Sequence, residues 1–335
     1  MDVDNRVVII GETEADIQRL GHPLSDETLA EILQRLVNYE ANIIGVDKYR
    51  DASVPPGEEQ LNAVLTDNPN IIWITHFGDL RDRHVPPSKI LENTNRVGFN
   101  DFLPDKDGIV RRGLLFMDSG GVVLQSFALT IAMHYLAHLE IYPQPDKENP
   151  DFIRLGQTTI PPFEGDDGGY VDEDASGYQM IMDYGGFPER FPTYSISELL
   201  DSKIPANALR DKIVLIGAMS ESLRDYFFTP FRQGADTEHI INGVELHGIL
   251  VSQFLRLAEG KSTLIKTFNS WQENLWIWLW SIAGSLLGIF AVSVFRFLVI
   301  TLFGSLLLLL GGYMAFNHNV WIPVVPSVVG WFLSF

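Results

Sequence analysis

The sequence predicts an α/β domain on a mostly parallel sheet with helices on both faces, Rossmann- or flavodoxin-like in its layering. A β-hairpin insertion interrupts the domain, and three transmembrane helices follow it. Two observations carry this. Short, continuous apolar strands alternate with amphipathic helical patterns in the first third of the chain, as in a sheet buried on both faces. From Leu275 to Phe335 the only formal charge is Arg296, although the 335-residue chain has a net charge of -19. The expected division is therefore residues 1–266 as an acidic soluble domain and residues 267–335 as a membrane region.

The elements follow in order. Arg6 to Ile10 is a β-branched run ending at Gly11. Ser25 opens a helical pattern through Leu29, Ile32, Leu33 and Leu36, because serine at an N-cap accepts from a first-turn N–H. Ile43 to Val46 is the next strand, Glu58 to Leu65 a short helix and Asn70 to His76 a third strand. Gly108 to Ser119 and Gly121 to Ser126 read as a hairpin across Ser119-Gly120-Gly121. A helix is expected from about Phe127 to His138. Tyr142 to Asp174, rich in Pro, Gly and acids, reads as loop. Gln179 to Tyr184 is a strand, Ser195 to Leu200 a short helix, Lys212 to Ile216 a buried strand and Val244 to Ala258 a helix capped by Gly260. Val7 to Thr13 faintly echoes Ile213 to Met219, as two parallel strands each ending in glycine would.

The tail divides into apolar runs over 275–295, 297–316 and 320–335. A bilayer core needs roughly 20 apolar helical residues, so turns are required near Arg296 and Asn317. Pro323 and Pro326 fall in the first turns of the third run, where a missing N–H costs least. Trp271, Trp276, Trp278, Trp280 and Trp321 sit at the run starts, at interface level. Arg296 favours a cytoplasmic first loop, which places the soluble domain outside; Lys261 and Lys266 pull the other way. Gly284 and Gly288 form a small-residue face that lets membrane helices approach closely. The start at Met1, without a signal peptide, and the end at Phe335 in mid-run read as an excerpt of a longer protein.

Strand ends of α/β sheets are where ligands bind. Asp47, Arg50 and Asp51 follow one strand, Asp225 and Thr229 follow another, and Glu12 closes the first. These are the ligand-binding candidates. Recurrent catalytic signatures are missing. A dinucleotide fingerprint does not extend from Gly11 or Gly217. A P-loop ending at Gly260 would need glycine where Leu255 stands. His134 and His138 share a helix face, but Tyr135 replaces the glutamate of a zinc-protease motif. Asp105 to Gly108 starts like a calcium loop with its glycine misplaced, and the acids Asp166, Asp167, Asp172, Glu173 and Asp174 read as a solvated loop. No metal, cofactor or nucleic-acid partner is expected, and zero cysteines fits an oxidising compartment.

Several stretches resemble the type-two CHASE sensor domain of bacterial signalling proteins. They are Ile44-Gly45-Val46-Asp47, Asp107-Gly108-Ile109-Val110-Arg111-Arg112, Lys212 to Ala218 around Gly217, Asp225 to Pro230, and Gly243-Val244-Glu245-Leu246-His247. The resemblance runs from about Val7 to Gly260 and includes the three-run tail. It implies an extracytoplasmic sensor anchored in a bacterial plasma membrane. A homodimer would pass a small-molecule signal across the lipid bilayer to a cytoplasmic nucleotide cyclase or protein kinase domain. It supplies no ligand or catalytic residue. The other readings are a tethered extracytoplasmic enzyme and a dimerisation scaffold without ligand.

Overall fold

The computed structural model describes residues 4–76, 84–184, 191–231, 240–261 and 264–334. They form two compact units: Met1–Pro162 with Gly177–Ser262, and Phe163–Ser176 with Thr263–Phe335.

The first unit contains β1 (Val7–Glu12), α1 (Glu14–Leu20), α2 (Asp26–Asn38), β2 (Ile43–Val46), α3 (Glu58–Asp67), β3 (Ile71–Thr75) and β4 (Val97–Phe99). The hairpin β5 (Arg112–Ser119) and β6 (Val122–Gln125) and helix α4 (Phe127–Ala137) follow. Next come β7 (Pro143–Pro145), β8 (Ile153–Leu155), β9 (Thr158–Ile160), β10 (Tyr178–Ile181), β11 (Thr193–Ser195), α5 (Ile196–Leu200) and β12 (Ile213–Ala218). The hairpin β13 (Tyr226–Phe228) and β14 (Ile240–Asn242) leads into α6 (Gly243–Ala258).

Six strands form one sheet in the order β11-β1-β12-β2-β3-β4, every pair parallel. All residues of β1, β2 and β3 are buried. That is why these strands read as unbroken apolar runs rather than alternating ones. Helix α2 packs with α3 and α5 as one layer, and α4 with α6 as the other. Two glycines admit the second layer. A Cβ on Gly45 would lie 2.6 Å from Ile131 of α4, and one on Gly217 would lie 2.5 Å from Val244 of α6. The faint echo has a spatial meaning, since β1 pairs with β12 in the echo's own register, from Val7↔Ile213 to Gly11↔Gly217.

Local chemistry sets the helix starts. Ser25 accepts from the Thr28 N–H to begin α2, and Thr13 forms a reciprocal capping box with Asp16 to begin α1. Helix α1 was not legible because its N3 residue is aspartate, where the usual signature has Glu or Gln. The Tyr142 to Asp174 loop expectation needs correction. Part of it is a three-stranded antiparallel meander, β7-β8-β9. Three-residue strands, one flanked by Pro143 and Pro145, leave no alternation to read.

The second unit holds β15 (Lys266–Thr267), α7 (Ser270–Gly288), α8 (Val294–Asn317), β16 (Val320–Trp321) and α9 (Val324–Leu333). Among the described residues one helix, α8, is long and apolar enough to cross a membrane. Its side chains are mostly outward, with Leu302 72% and Phe303 62% exposed. The three-span expectation meets two differences. The first turn falls at 289–293, before Arg296, because Ser293 caps α8 by accepting from the Arg296 N–H. Helix α9 spans ten residues, and Phe335 lies outside the described residues. Inside the unit, Trp331 of α9 is 1% exposed and donates from Nε1 to the Thr301 carbonyl at 3.2 Å. Gly304 of α8 and Gly284 of α7 both face it, so small residues carry this packing as they do between membrane helices.

Candidate functional site

A parallel sheet ends all its strands on one edge, and the polar residues just past those ends meet there. Glu12 ends β1 and is fully buried. Lys48, just past β2, donates to Glu12 Oε2 at 2.5 Å, and His22 Nδ1 lies 3.3 Å from Glu12 Oε1. Asp47 precedes Lys48 and accepts from Asn100 Nδ2 at 3.4 Å, just past β4. Tyr49 donates to Asn100 Oδ1 at 3.0 Å and stacks edge-on with His76 at 6.0 Å. His76, just past β3, pairs with Asp101 at 2.9 Å.

Asp225 completes the group. A Cβ on Gly243 would meet both Asp225 carboxylate oxygens at 2.8 Å, so glycine at the first position of α6 lets the helix N-terminus approach this acid. That end of a helix favours negative charge. Burial first and the Asp225 charge second push the Asp47 carboxyl up to about 7. Burial also raises Asp225, against the pull of Lys48. Burial raises Tyr49 to about 12. Three carboxylates thus surround one lysine.

Glu12, Asp47 and Asp225 of the sequence candidates are brought together. Arg50 and Asp51 line a neighbouring cleft of about 570 Å³ with Glu58, Asn62 and Lys89. There Arg50 is buried, donates to the Leu24 carbonyl at 2.8 Å and sits 3.5 Å from Asp26. Thr229 is fully buried, one residue past the bridge of Phe228 to Ile109. Lys48, Tyr49, His76, Asn100 and Asp101 were missed. Lys48 stood beside Asp47 after a readable strand, but Asn100 and Asp101 follow a strand of only three residues.

The motif residues serve the scaffold. Arg111 grips Asp107 with two hydrogen bonds, 3.0 and 2.7 Å, and reaches Asp105 at 2.7 Å. Asp105 also holds buried Arg112 at 2.9 Å, and Arg112 donates to Gln179 at 2.8 Å. Gly108 makes the intervening turn at φ +79°. Pro230 is exposed. Glu245 accepts from the Asn242 backbone at 3.0 Å and side chain at 2.9 Å, a capping box that starts α6. Glu245→Ala should therefore cost about 1 kcal/mol by thermal or urea denaturation, the usual worth of a cap. His247 stacks between Phe102 at 4.5 Å and Phe127 at 5.0 Å, and burial pulls it down to about 3, so it is neutral. Among the described residues no group of three or more His, Cys, Asp or Glu is arranged to hold a metal. Asp166 and Asp167 instead cap backbone N–H groups of Asp172 and Glu164.

A family model described as the CHASE2 domain matches residues 1–286. The chain belongs to the CHASE2 family. CHASE2 domains are extracytoplasmic sensors of membrane signalling receptors. The match covers the whole carboxylate cluster and runs into α7. No curated protein and no solved structure matches significantly.

Proposed function

We propose that this CHASE2 chain is the sensory and membrane-anchoring part of a bacterial transmembrane receptor. Its α/β unit lies outside the plasma membrane and binds a small molecule at the Glu12, Asp47 and Asp225 cluster. Working as a homodimer, it passes the binding event through α7 to α9, as three spans, to a cytoplasmic cyclase or kinase domain. The family match carries this reading. The outward apolar side chains of α8 support the anchor. Among the described residues Glu12, Asp47 and Asp225 outnumber Lys48, which favours a ligand bearing positive charge. A coupling of roughly 1–3 kcal/mol between ligand and output is the usual range. Perturbed carboxylates are also what a tethered enzyme would need, but the family is one of sensors.

The absence of cysteine permits a clean topology test. Val123 on the β5–β6 hairpin is 63% exposed and Val292 in the α7–α8 turn is 75% exposed. In cells carrying the protein at its native locus, Val123→Cys should react with a membrane-impermeant maleimide. Val292→Cys should react only after permeabilisation. The reverse pattern would overturn the orientation, and labelling of both in intact cells would remove the spans.

A further inference from the structure

The second unit contains a cleft of about 920 Å³ that the sensor site does not use. It is bounded by the ends of α7, α8 and α9 and by the segment Phe163–Ser176, which reaches it from far away in sequence. Thr267 holds that segment by donating to Asp167 at 2.6 Å. Gly168 and Gly169 lie flat on Trp321, where a Cβ on either would come within 2.7 or 2.9 Å of the ring.

Three chemistries line the space. The first is acidic. Among the described residues Glu273 Oε1 is buried with no hydrogen-bond partner, and Asp166 and Asp167 are close enough to repel the Glu273 charge. Asp166 is in the lining, and among the described residues no lysine or arginine is. A buried, unpartnered carboxylate oxygen is costly unless a donor reaches it. The second is apolar. Ile277 lies one turn after Glu273 on α7, about 6 Å along the axis, and Phe316, Val324 and Val325 join it. The third is an anion-favouring point. Pro323 caps α9 without any side-chain hydrogen bond. The first-turn N–H groups of Val324 and Val325 have no intrahelical acceptor and sit at the positive end of the helix.

A cationic donor, a phosphate and acyl chains together satisfy all three. We propose that the cleft seats a bilayer aminophospholipid of the phosphatidylethanolamine type. Its ammonium sits at Glu273 and Asp166, its phosphate at the N-terminus of α9 and its chains along the apolar wall. The Glu273 and Asp166 carboxylates decide the headgroup, because a primary ammonium donates hydrogen bonds to them, whereas a quaternary ammonium has no N–H to give. Trp321 and Tyr170, stacked edge-on at 5.6 Å, add aromatic rings beside the headgroup, at the level such rings favour. The segment that holds the acid rim would then be fastened by lipid. This makes the sensor's anchor sensitive to bilayer composition, independently of the ligand at the carboxylate cluster.

The test uses the purified full chain in nanodiscs of equal parts phosphatidylethanolamine, phosphatidylcholine and phosphatidylglycerol, with retained lipid read by native mass spectrometry. Phosphatidylethanolamine should be retained at least about tenfold over the other two. Glu273→Gln combined with Asp166→Asn should abolish the preference while helix content stays unchanged. Asparagine keeps the oxygen that accepts from the Asp172 N–H at 2.9 Å. Equal retention of the three lipids by the wild-type chain, which needs no variant, overturns the proposal. So does a folded double variant that keeps the preference, or full displacement of the lipid by free phosphoethanolamine.

Discussion

Asp47→Asn should make the protein more stable at pH 8 and leave it almost unchanged at pH 4. The sign follows from linkage. The folded-state carboxyl is raised from 3.8 to about 7 by burial and then by Asp225. The folded state therefore holds a proton that the unfolded chain releases near pH 4. The stability this lends is complete below about pH 4 and is lost as pH rises through about 7. Three pKa units correspond to about 4 kcal/mol at most. The figure belongs to the Asp47–Asp225 pair rather than to one residue, so the gain expected from asparagine is on the order of 2–4 kcal/mol at pH 8. The substituted amide stays neutral throughout and can still meet Asn100. His247 also shapes the acid limb, since burial lowers it and its contribution is lost as pH falls from about 6.5. It is common to both proteins and cancels. Urea denaturation at pH 4, 6 and 8 measures the difference. Parallel profiles at all three values would show that Asp47 is not under strain. Asp225→Asn should give part of the same gain by removing the repulsion. If the cluster binds a cation, both variants should lose ligand response while gaining stability. A merely structural role would not couple those two changes.

That trade shows why the site was partly legible. Glu12, Asp47 and Asp225 could be read because each stands at, just past or near the end of a strand that announces itself by β-branched residues and a penultimate glycine. A parallel sheet forces such ends together whatever the loops do. The β1–β12 echo already contained the register that does so. Asn100 and Asp101 were hidden behind β4, whose three residues gain their structure from pairing with β3 rather than from any local preference. Lys48 lay in plain sight, but that it pairs with Glu12, 36 residues away, is a tertiary fact. Arg50 shares the strand end yet turns to Asp26 and the Leu24 carbonyl, because a side chain's direction in a loop is set by its neighbours. The tail reads differently again. Its apolar runs were clear, but the docking of Phe163–Ser176 into the same unit was not, since it rests on tertiary contacts: Gly168 and Gly169 against Trp321, and Thr267 on Asp167.

Gly304→Leu should dismantle the helical unit. Within a membrane the lipid tails are as apolar as the side chains, so burial supplies little drive and close packing must hold helices together. Here the packing converges on Trp331. Its indole covers Gly304 so closely that a Cβ would overlap the ring, while its carbonyl lies 2.7 Å from where a Cβ on Gly284 would stand. Trp280 meets the same ring edge-on at 5.8 Å, and Thr301 takes its N–H. Leucine at 304 would have to expel the ring, and displacing a buried tryptophan costs on the order of 3–5 kcal/mol. Gly311 provides the control on the same helix. Among the described residues nothing lies within 4 Å of a Cβ there, so Gly311→Leu should be neutral or slightly stabilising. Thermal unfolding of the two variants in detergent micelles, followed by helical circular dichroism, should separate them by many degrees. The cycle with Trp331→Ala tests the cause rather than the outcome. In that background the ring is gone and leucine at 304 fills its space, so its cost should largely vanish as coupled neighbours require. A cost that persists without the ring would mean that α8 and α9 are held by something other than this tryptophan.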